Sequence, residues 1–464
     1  MKQILITGDR SGSGKTSITL ALAALLSKEY TVQTFKVGMD YIDPSYLAAV
    51  SGRPCRNLDS FTLSPEEIRD IFSNGCRGAD IALVEGVRGL YEGADALTDS
   101  GSTAAIAKAL NIPVVLVVSA QSITRSAAAL VKGFQAFDPD VNIAGVILNN
   151  VKGGPHREKA QTAIEKYCGI PVIGAVPRTE EMQLAMRHLG LVPYREGSGR
   201  GDFDARIAAI TSVIGGYIDL GRFRALMGEA RIHRQGHSRF AIRPGSMNGG
   251  DEIRIGIAFD EAFNFYYADL FDILLALGAT PVPFSVIHDR LPEAEGYIIG
   301  GGYPELFAKD LEANTSMREA IREISAGGIP VYAECGGLMY LTDTMILRKG
   351  WRDLDNDVSY DMCGVFPGKT LMPAQRIVSY VEGMSMPGSL FGEAKFRGHE
   401  FHYSEVSLKP GTRFAYRLSR GRGISDGNDG ALVNNSLGSY THLHPVASMG
   451  MFRNFVACCR RASR

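Results

Sequence analysis

Gly8, Gly12 and Gly14 precede Lys15 and Thr16 in the segment GDRSGSGKTS, an arrangement suited to gripping a phosphate. Glycines let backbone N–H groups approach phosphate oxygens, a lysine supplies a point charge, and a threonine hydroxyl suits Mg²⁺. The loop is one residue longer than the common G-x-x-x-x-G-K-[ST] form: glycine is due at position 9, where Asp9 stands, and Gly8 sits one place earlier. A lengthened nucleotide loop is the expectation. A glycine-rich turn without a ligand is the plainer alternative, and Gly-Lys-Thr at the start of a helix is too specific a signal to favour it.

Carboxylates follow. Asp40 and Glu85 stand at the ends of apolar runs, where α/β sheets bind ligands, and together with Thr16 they make a natural set for Mg²⁺. In KVGMDYIDPSYL (36–47), Tyr41 and Asp43 are candidates for substrate or nucleotide contacts or for catalysis, although Asp43 before Pro44 is equally placed to cap a helix beginning near Ser45. Lys36 suits phosphate or an acidic substrate, or a solvated strand end.

A second chemistry centres on a thiol. In IPVYAECGGLMYL (329–341), Cys335 lies between a strand-like run and a helical one, with Gly336 and Gly337 behind it. Such an elbow exposes a nucleophile at a helix start, where the dipole favours thiolate. Taken alone, a small buried core cysteine is the commoner outcome. Two further stretches change the balance. GGGYPE (300–305) offers backbone N–H groups for an oxyanion, and GSYTHLHP (438–445) offers His442 and His444 as bases. His399 and His402 in RGHEFHYSEV are three apart, not in H-E-x-x-H spacing, and Phe401, Tyr403 and Val406 there suit a strand.

The elements that must hold these residues form a βαβ rhythm. QILIT, TVQTFKV, DIALVEG (80–86), IPVVLVVSA (112–120), IAGVILNNV (143–151) and IPVIGAVP (170–177) are apolar enough for strands covered on both faces. Between the first two, SITLALAALLSKEY carries Ile18, Leu22, Leu25 and Leu26 on one helical face. The rhythm restarts at EIRIGIAFD after a glycine-rich, aperiodic stretch. The expected organisation is a first α/β domain over 1–230, a linker over 231–250 and a second α/β domain over 251–464.

With 49 basic and 50 acidic residues well mixed, the chain offers no broad electropositive surface for nucleic acid. Its apolar runs fall far short of the ~20 residues a membrane span needs. Seven cysteines without zinc spacing, and a strand pattern from Ile4 with no signal peptide before it, suit a cytoplasmic protein with reduced thiols.

The longer phosphate loop, G-x-x-x-x-x-G-K-[ST], resembles that of the dethiobiotin synthetase-like ATPases. KVGMDYIDP resembles K-V-G-P-D-Y-I-D-P, and VEGVRGLYEG (84–93) resembles V-E-G-V-M-G-L-Y-D-G, both segments of the cobyrinate a,c-diamide synthase family. The thiol segments are similar to the class I glutamine amidotransferase domain of that family's corrinoid branch, whose histidine lies in G-[ST]-Y-x-H and points here to His442. Two departures stand out. Ala333 and Met339 replace glycine and glutamine of the elbow G-x-C-x-G-x-Q, and His444 occupies the place of the usual glutamate two residues past the histidine, which leaves the third member of the site open.

The resemblance implies a doubly wound P-loop ATPase domain followed by a class I glutamine amidotransferase α/β domain. It implies a carbon–nitrogen ligase that uses ATP and Mg²⁺, takes ammonia from L-glutamine, and amidates the a and c acetates of a tetrapyrrole carboxylic acid through acyl phosphates. Cobyrinate in cobalamin biosynthesis and Ni-sirohydrochlorin in coenzyme F430 biosynthesis, the latter tied to methanogenesis, are the two substrates in view. Met39 and Arg88 look more like the nickel branch. A cobyric acid synthase, whose segment is of the K-P-Q-N-M type, and a partner-binding ATPase switch with an inactive glutaminase half are the alternatives. A homodimer is compatible with the resemblance, which leaves the oligomeric state open.

Overall fold

The computed structural model describes residues 1–178, 199–231, 240 and 253–462, in two compact units, Met1–Gly236 and His237–Arg464. The division falls inside the 231–250 stretch expected as a linker, most of which lies outside the described residues.

In the first unit the six apolar runs become β1 (Lys2–Gly8), β2 (Val32–Val37), β4 (Ile81–Gly89), β5 (Val114–Ser119), β6 (Ile143–Val151) and β7 (Val172–Pro177), and a short strand that no apolar run announced, β3 (Arg56–Leu58), joins them. They form one parallel sheet in the order β3-β2-β4-β1-β5-β6-β7, and β8 (Gly228–Glu229) adds antiparallel to the start of β1. Every residue of β2 is buried, as a strand covered on both faces requires. Helices α1 (Lys15–Leu26), α2 (Ile42–Ser51), α3 (Pro65–Gly75), α4 (Thr103–Leu110), α5 (Arg125–Phe137) and α6 (Gly154–Cys168) make the crossovers. The direction of winding changes around β1, so the loops after β1, β2 and β4 open at the switch point of the sheet, where such folds bind ligands.

The α1 segment departs from the one-faced helix that its spacing suggests. Residues 17–23 are all buried, because the helix lies on the sheet and is also packed against α2 and the helix Gly199–Gly215. A helix covered on all sides needs no polar stripe.

The second unit is also α/β. β9 (Ile253–Ala258), β10 (Ala279–Phe284), β11 (Gly296–Ile299) and β12 (Val331–Glu334) run parallel in the order β10-β9-β11-β12, and β21 (Ser436–Ser439) extends them in parallel beyond β12. Past β21 the sheet turns antiparallel through β20 (Asn428–Val433), β19 (Arg413–Arg420), β16 (Ile377–Ser385), β17 (Ala394–His402) and β22 (His442–Leu443). A separate four-stranded sheet joins β13 (Thr342–Leu347), β14 (Val358–Asp361), β15 (Phe366–Met372) and β18 (Glu405–Leu408) in the order β14-β13-β15-β18. Each unit has its own apolar core: Ile4, Ile6, Leu22 and Val117 belong to the first, and Phe263, Ile299, Leu338 and Phe366 to the second. No helix among the described residues is long and apolar enough to cross a membrane.

Candidate active sites

At the first site β1 delivers Gly8 to the start of the loop, and α1 begins at Lys15. Gly14 has φ 92°, and a Cβ there would lie 2.1 Å from Asn149 Nδ2, so glycine is required both for the backbone turn and for the space. Asn149, on β6, donates to the Ser13 carbonyl at 2.8 Å and ties the loop to the sheet. Gly12 also has positive φ, at 78°. Asp9, the residue that breaks the usual spacing, is buried and accepts from Arg10 Nε and Nη2 at 3.0 and 2.7 Å. The extra residue therefore brings a local ion pair into the loop.

Behind the loop lies a cluster of charge. Lys36 and Glu85 are partners in the β2–β4 ladder, and Lys36 Nζ donates to Glu85 Oε1 at 2.8 Å and to Asp43 Oδ2 at 2.5 Å, with Asp40 Oδ2 at 3.7 Å. Thr16 Oγ1 donates to Glu85 Oε1 at 2.6 Å and lies 3.4 Å from Asp43 Oδ2. Lys36 is 1% exposed. Burial opposes its charge, but Asp43, Glu85 and Asp40 outweigh it and raise its pKa. Burial pushes Asp40 up to about 7, with the neighbouring Asp43 charge adding to the effect and Lys36 opposing it. Burial also acts to raise Asp43, yet Lys36 prevails and holds it below the ordinary carboxylate range. Lys15 is lowered by burial and then by Lys36.

The cap of α2 falls to a different residue from the one the Asp43-Pro44 pair suggests. The helix begins at Ile42, and Asp40 Oδ1 accepts from the Ile42 and Asp43 N–H groups at 2.9 and 3.1 Å. Asp43 thus lies inside the first turn, free to face Lys36, while Asp40 divides its two oxygens between the cap and the cluster. Tyr41 occupies the residue just before the helix. Arg88 is exposed near the end of β4 with φ 50°.

Among the described residues no group of three or more His, Cys, Asp or Glu side chains is set out as a metal cage. Mg²⁺ does not need one, since it commonly binds through one or two carboxylates, water and substrate phosphates. Glu85 Oε2 is buried without a hydrogen-bond partner beside the Thr16 hydroxyl, so the oxygen donors fit a hard cation.

At the second site β12 ends at Glu334, and Cys335 turns the chain into the helix Gly336–Leu341 with φ 47° and ψ −99°. For a residue other than glycine this conformation is strained, and its neighbours hold it in place: Cys335 N donates to Ser439 O at 2.7 Å, and Gly337 N donates to Gly300 O at 3.0 Å. The glycine loop after β11 packs tightly beside it. Gly302 has φ 158°, and a Cβ there would lie 2.0 Å from the Ala262 carbonyl oxygen. A Cβ on Gly336 would be 3.1 Å from Gly302 N, so the glycine loop and the start of the helix pack backbone against backbone, and Gly302 lines the same small pocket as Cys335.

His442 arrives on β22, its ring stacked parallel on His399 at 4.9 Å. Burial works against its imidazolium, but hydrogen bonds to Cys335 and Glu334 outweigh burial and raise its pKa to about 10. Its Nδ1 faces Glu334 Oε2 at 3.2 Å. The other Glu334 oxygen accepts from Tyr332 Oη at 2.5 Å and Leu443 N at 3.1 Å. His444 turns elsewhere, its ring 4.5 Å from Tyr267 and its Nδ1 accepting from Val446 N at 3.3 Å. His402 stacks on Tyr440 at 3.6 Å and is lowered to about 4, chiefly by burial.

The sequence reading therefore missed Glu334, although it stands next to the nucleophile. Its signal was an acidic residue closing an otherwise apolar strand, a position whose burial demands partners. Cys335, His442 and Glu334 together can form a thiolate–imidazolium pair with a carboxylate orienting the ring.

Two family models match the chain: the CobQ/CobB/MinD/ParA nucleotide binding domain over residues 4–192 and the CobB/CobQ-like glutamine amidotransferase domain over residues 254–448. A cobyrinate a,c-diamide synthase of Methanosarcina acetivorans is 51% identical over 462 residues, spanning 96% of this chain and 93% of its own. One from Methanosarcina barkeri is 49% identical, with 100% and 96% covered, and one from Methanothermobacter thermautotrophicus 43% identical, with 98% of each.

Proposed function

The chain belongs to the cobyrinate a,c-diamide synthase family, and we propose that it amidates the a and c acetate carboxylates of a tetrapyrrole, cobyrinate or Ni-sirohydrochlorin, with ATP and glutamine. A carboxylate resists ammonia at neutral pH because it is ionised and its oxygen is a poor leaving group. In the proposed reaction a substrate carboxylate oxygen attacks the γ-phosphorus of ATP, ADP departs, and the acyl phosphate formed is open to attack by ammonia with loss of phosphate. Gly8, Gly12 and Gly14 let the loop close on the phosphates and Lys15 offsets their charge. Thr16 and Glu85, with Asp40 and Asp43 close by, would hold Mg²⁺, which when bound supplies charge neutralisation across the phosphates. Lys36 holds the three carboxylates in place. Tyr41, between Asp40 and the first turn of α2, is assigned to the acidic substrate.

Unprotonated ammonia is scarce at neutral pH, and the second site supplies it. The Cys335 thiolate attacks the carboxamide carbon of glutamine, and the Gly302 and Gly336 N–H groups receive the developing oxyanion. His442 gives its proton to the departing ammonia. It then takes one from water, which hydrolyses the thioester to glutamate. The observation that carries this reading is the buried His442–Glu334 pair at 3.2 Å beside the strained Cys335 elbow, with Cys335 and Glu334 raising the His442 pKa to about 10.

Cys335→Ala is expected to abolish glutamine-dependent amidation and to leave amidation from ammonium salts intact, since only the nitrogen source is lost. Mass spectrometry of cobyrinate and of Ni-sirohydrochlorin, each incubated with MgATP and either nitrogen source, reads both the substrate and the effect. Continued use of glutamine by the variant would remove Cys335 from the reaction.

A further inference from the structure

A small pocket opens beside the nucleophile, lined by Cys335, Gly302, Tyr303, Glu305, Met339 and Phe401 among others. Glu305 comes from the turn Pro304–Leu306 that follows the glycine loop, so the segment that carries Gly302 also places this carboxyl group. It is 7% exposed. Among the described residues its carboxylate is served only by a backbone N–H of its own residue, and burial lifts it to about 7, with Arg352 opposing weakly.

Three other buried carboxylates of this unit are treated differently. Asp260 accepts from Ser285 Oγ and from the N–H groups of Ala262, Phe263, Val286 and Ile287. Asp429 accepts from the Tyr440 and Thr441 N–H groups and the Thr441 hydroxyl, and Glu334 has the three partners described above. The Glu305 carboxyl group opens to the pocket and not onto a further protein donor, so whatever pairs with its charge must come from the pocket side. No lysine or arginine lines the pocket, and Met339 offers only a thioether. Glu305 is thus the one acidic group in a pocket that is otherwise mostly aromatic, thioether and neutral polar.

We propose that Glu305 binds the α-ammonium group of glutamine, and so selects this amide over amides that lack a neighbouring cation. The inference rests on Cys335 acting as the glutaminase nucleophile. A cation at Glu305 would restore the partner that the fold withholds, while the carboxamide end of the same molecule reaches the sulfur. A site that leaves a charged group unpaired when the wrong substrate enters discriminates strongly.

The test compares glutamate release from glutamine with glutarate release from glutaramate, which is glutamine without its amino group. The full-length wild-type chain is expected to prefer glutamine by roughly a hundredfold or more in kcat/KM. In Glu305→Gln the preference should shrink to within about tenfold, through a higher KM for glutamine with glutaramate little changed. Glu305→Ala should behave alike, and iodoacetamide labelling of Cys335 in both variants reports that the elbow is intact. A preference that survives in the variants, or an equal loss on both substrates, would overturn the assignment while leaving the glutaminase itself standing. A wild-type chain that releases nothing from glutamine would instead bring down the parent reading and this one with it.

Discussion

Glu334 lies one residue before the sulfur it serves, yet it acts through a ring that is 108 positions away in the chain. Its negative charge is one of the two influences that keep His442 protonated against burial. Because the folded pKa of His442 is raised, its imidazolium persists below about pH 10 and is lost as pH rises through that value. Glu334→Gln keeps the shape and removes the charge. The variant should lower glutaminase kcat by roughly a hundredfold or more, and the alkaline fall of its pH–rate profile should begin at lower pH than in the wild type. An unchanged alkaline limb would mean that Glu334 does not control the imidazolium. Cys335, His442, Lys15 and Thr16 were legible because each sits in a local pattern with a chemical reason. Glu334 was not, since neighbours in sequence usually point to opposite faces of a strand, and only the return of β22 brings it His442.

At the level of elements, β1, β2 and β4 to β7 of the first unit were readable because burial on both faces leaves continuous apolar runs, whereas the short β3 and β8 were not. The antiparallel ladder of the second unit was not. β19, RFAYRLSR, buries only Ala415 and Tyr416 and carries charged residues through the rest, and only the segment around 397–406 had suggested a strand there. The phosphate loop shows how an element imposes its demands on single positions. Gly14→Ala would force a left-handed turn on a residue with a Cβ and drive that Cβ against the Asn149 amide. The expected result is a rise of about tenfold or more in KM for ATP with a destabilisation of about 1–3 kcal/mol, seen in nucleotide-dependent amidation and in a denaturant melt. Wild-type behaviour in both measurements would show that the loop adapts and that its shape is not set by this contact.

On the scale of the whole molecule, two units with separate cores carry two halves of one proposed reaction. Lys15→Ala is therefore expected to stop amidation from glutamine and from ammonium salts alike, while Cys335 remains open to labelling by a glutamine-like electrophile. Equal loss of labelling would show that damage at the phosphate loop spreads into the second unit's fold. The long sequence separation within the thiol site has a consequence for biogenesis. Domains form as the ribosome extends them, and a partly made chain carries its elbow cysteine for more than a hundred residues of synthesis before its base exists. If Cys335 and His442 act as proposed, the nascent thiol lacks its imidazole during that interval, so an unfinished polypeptide would not squander glutamine, and ammonia release would begin only once the proposed energising half has long since left the exit tunnel.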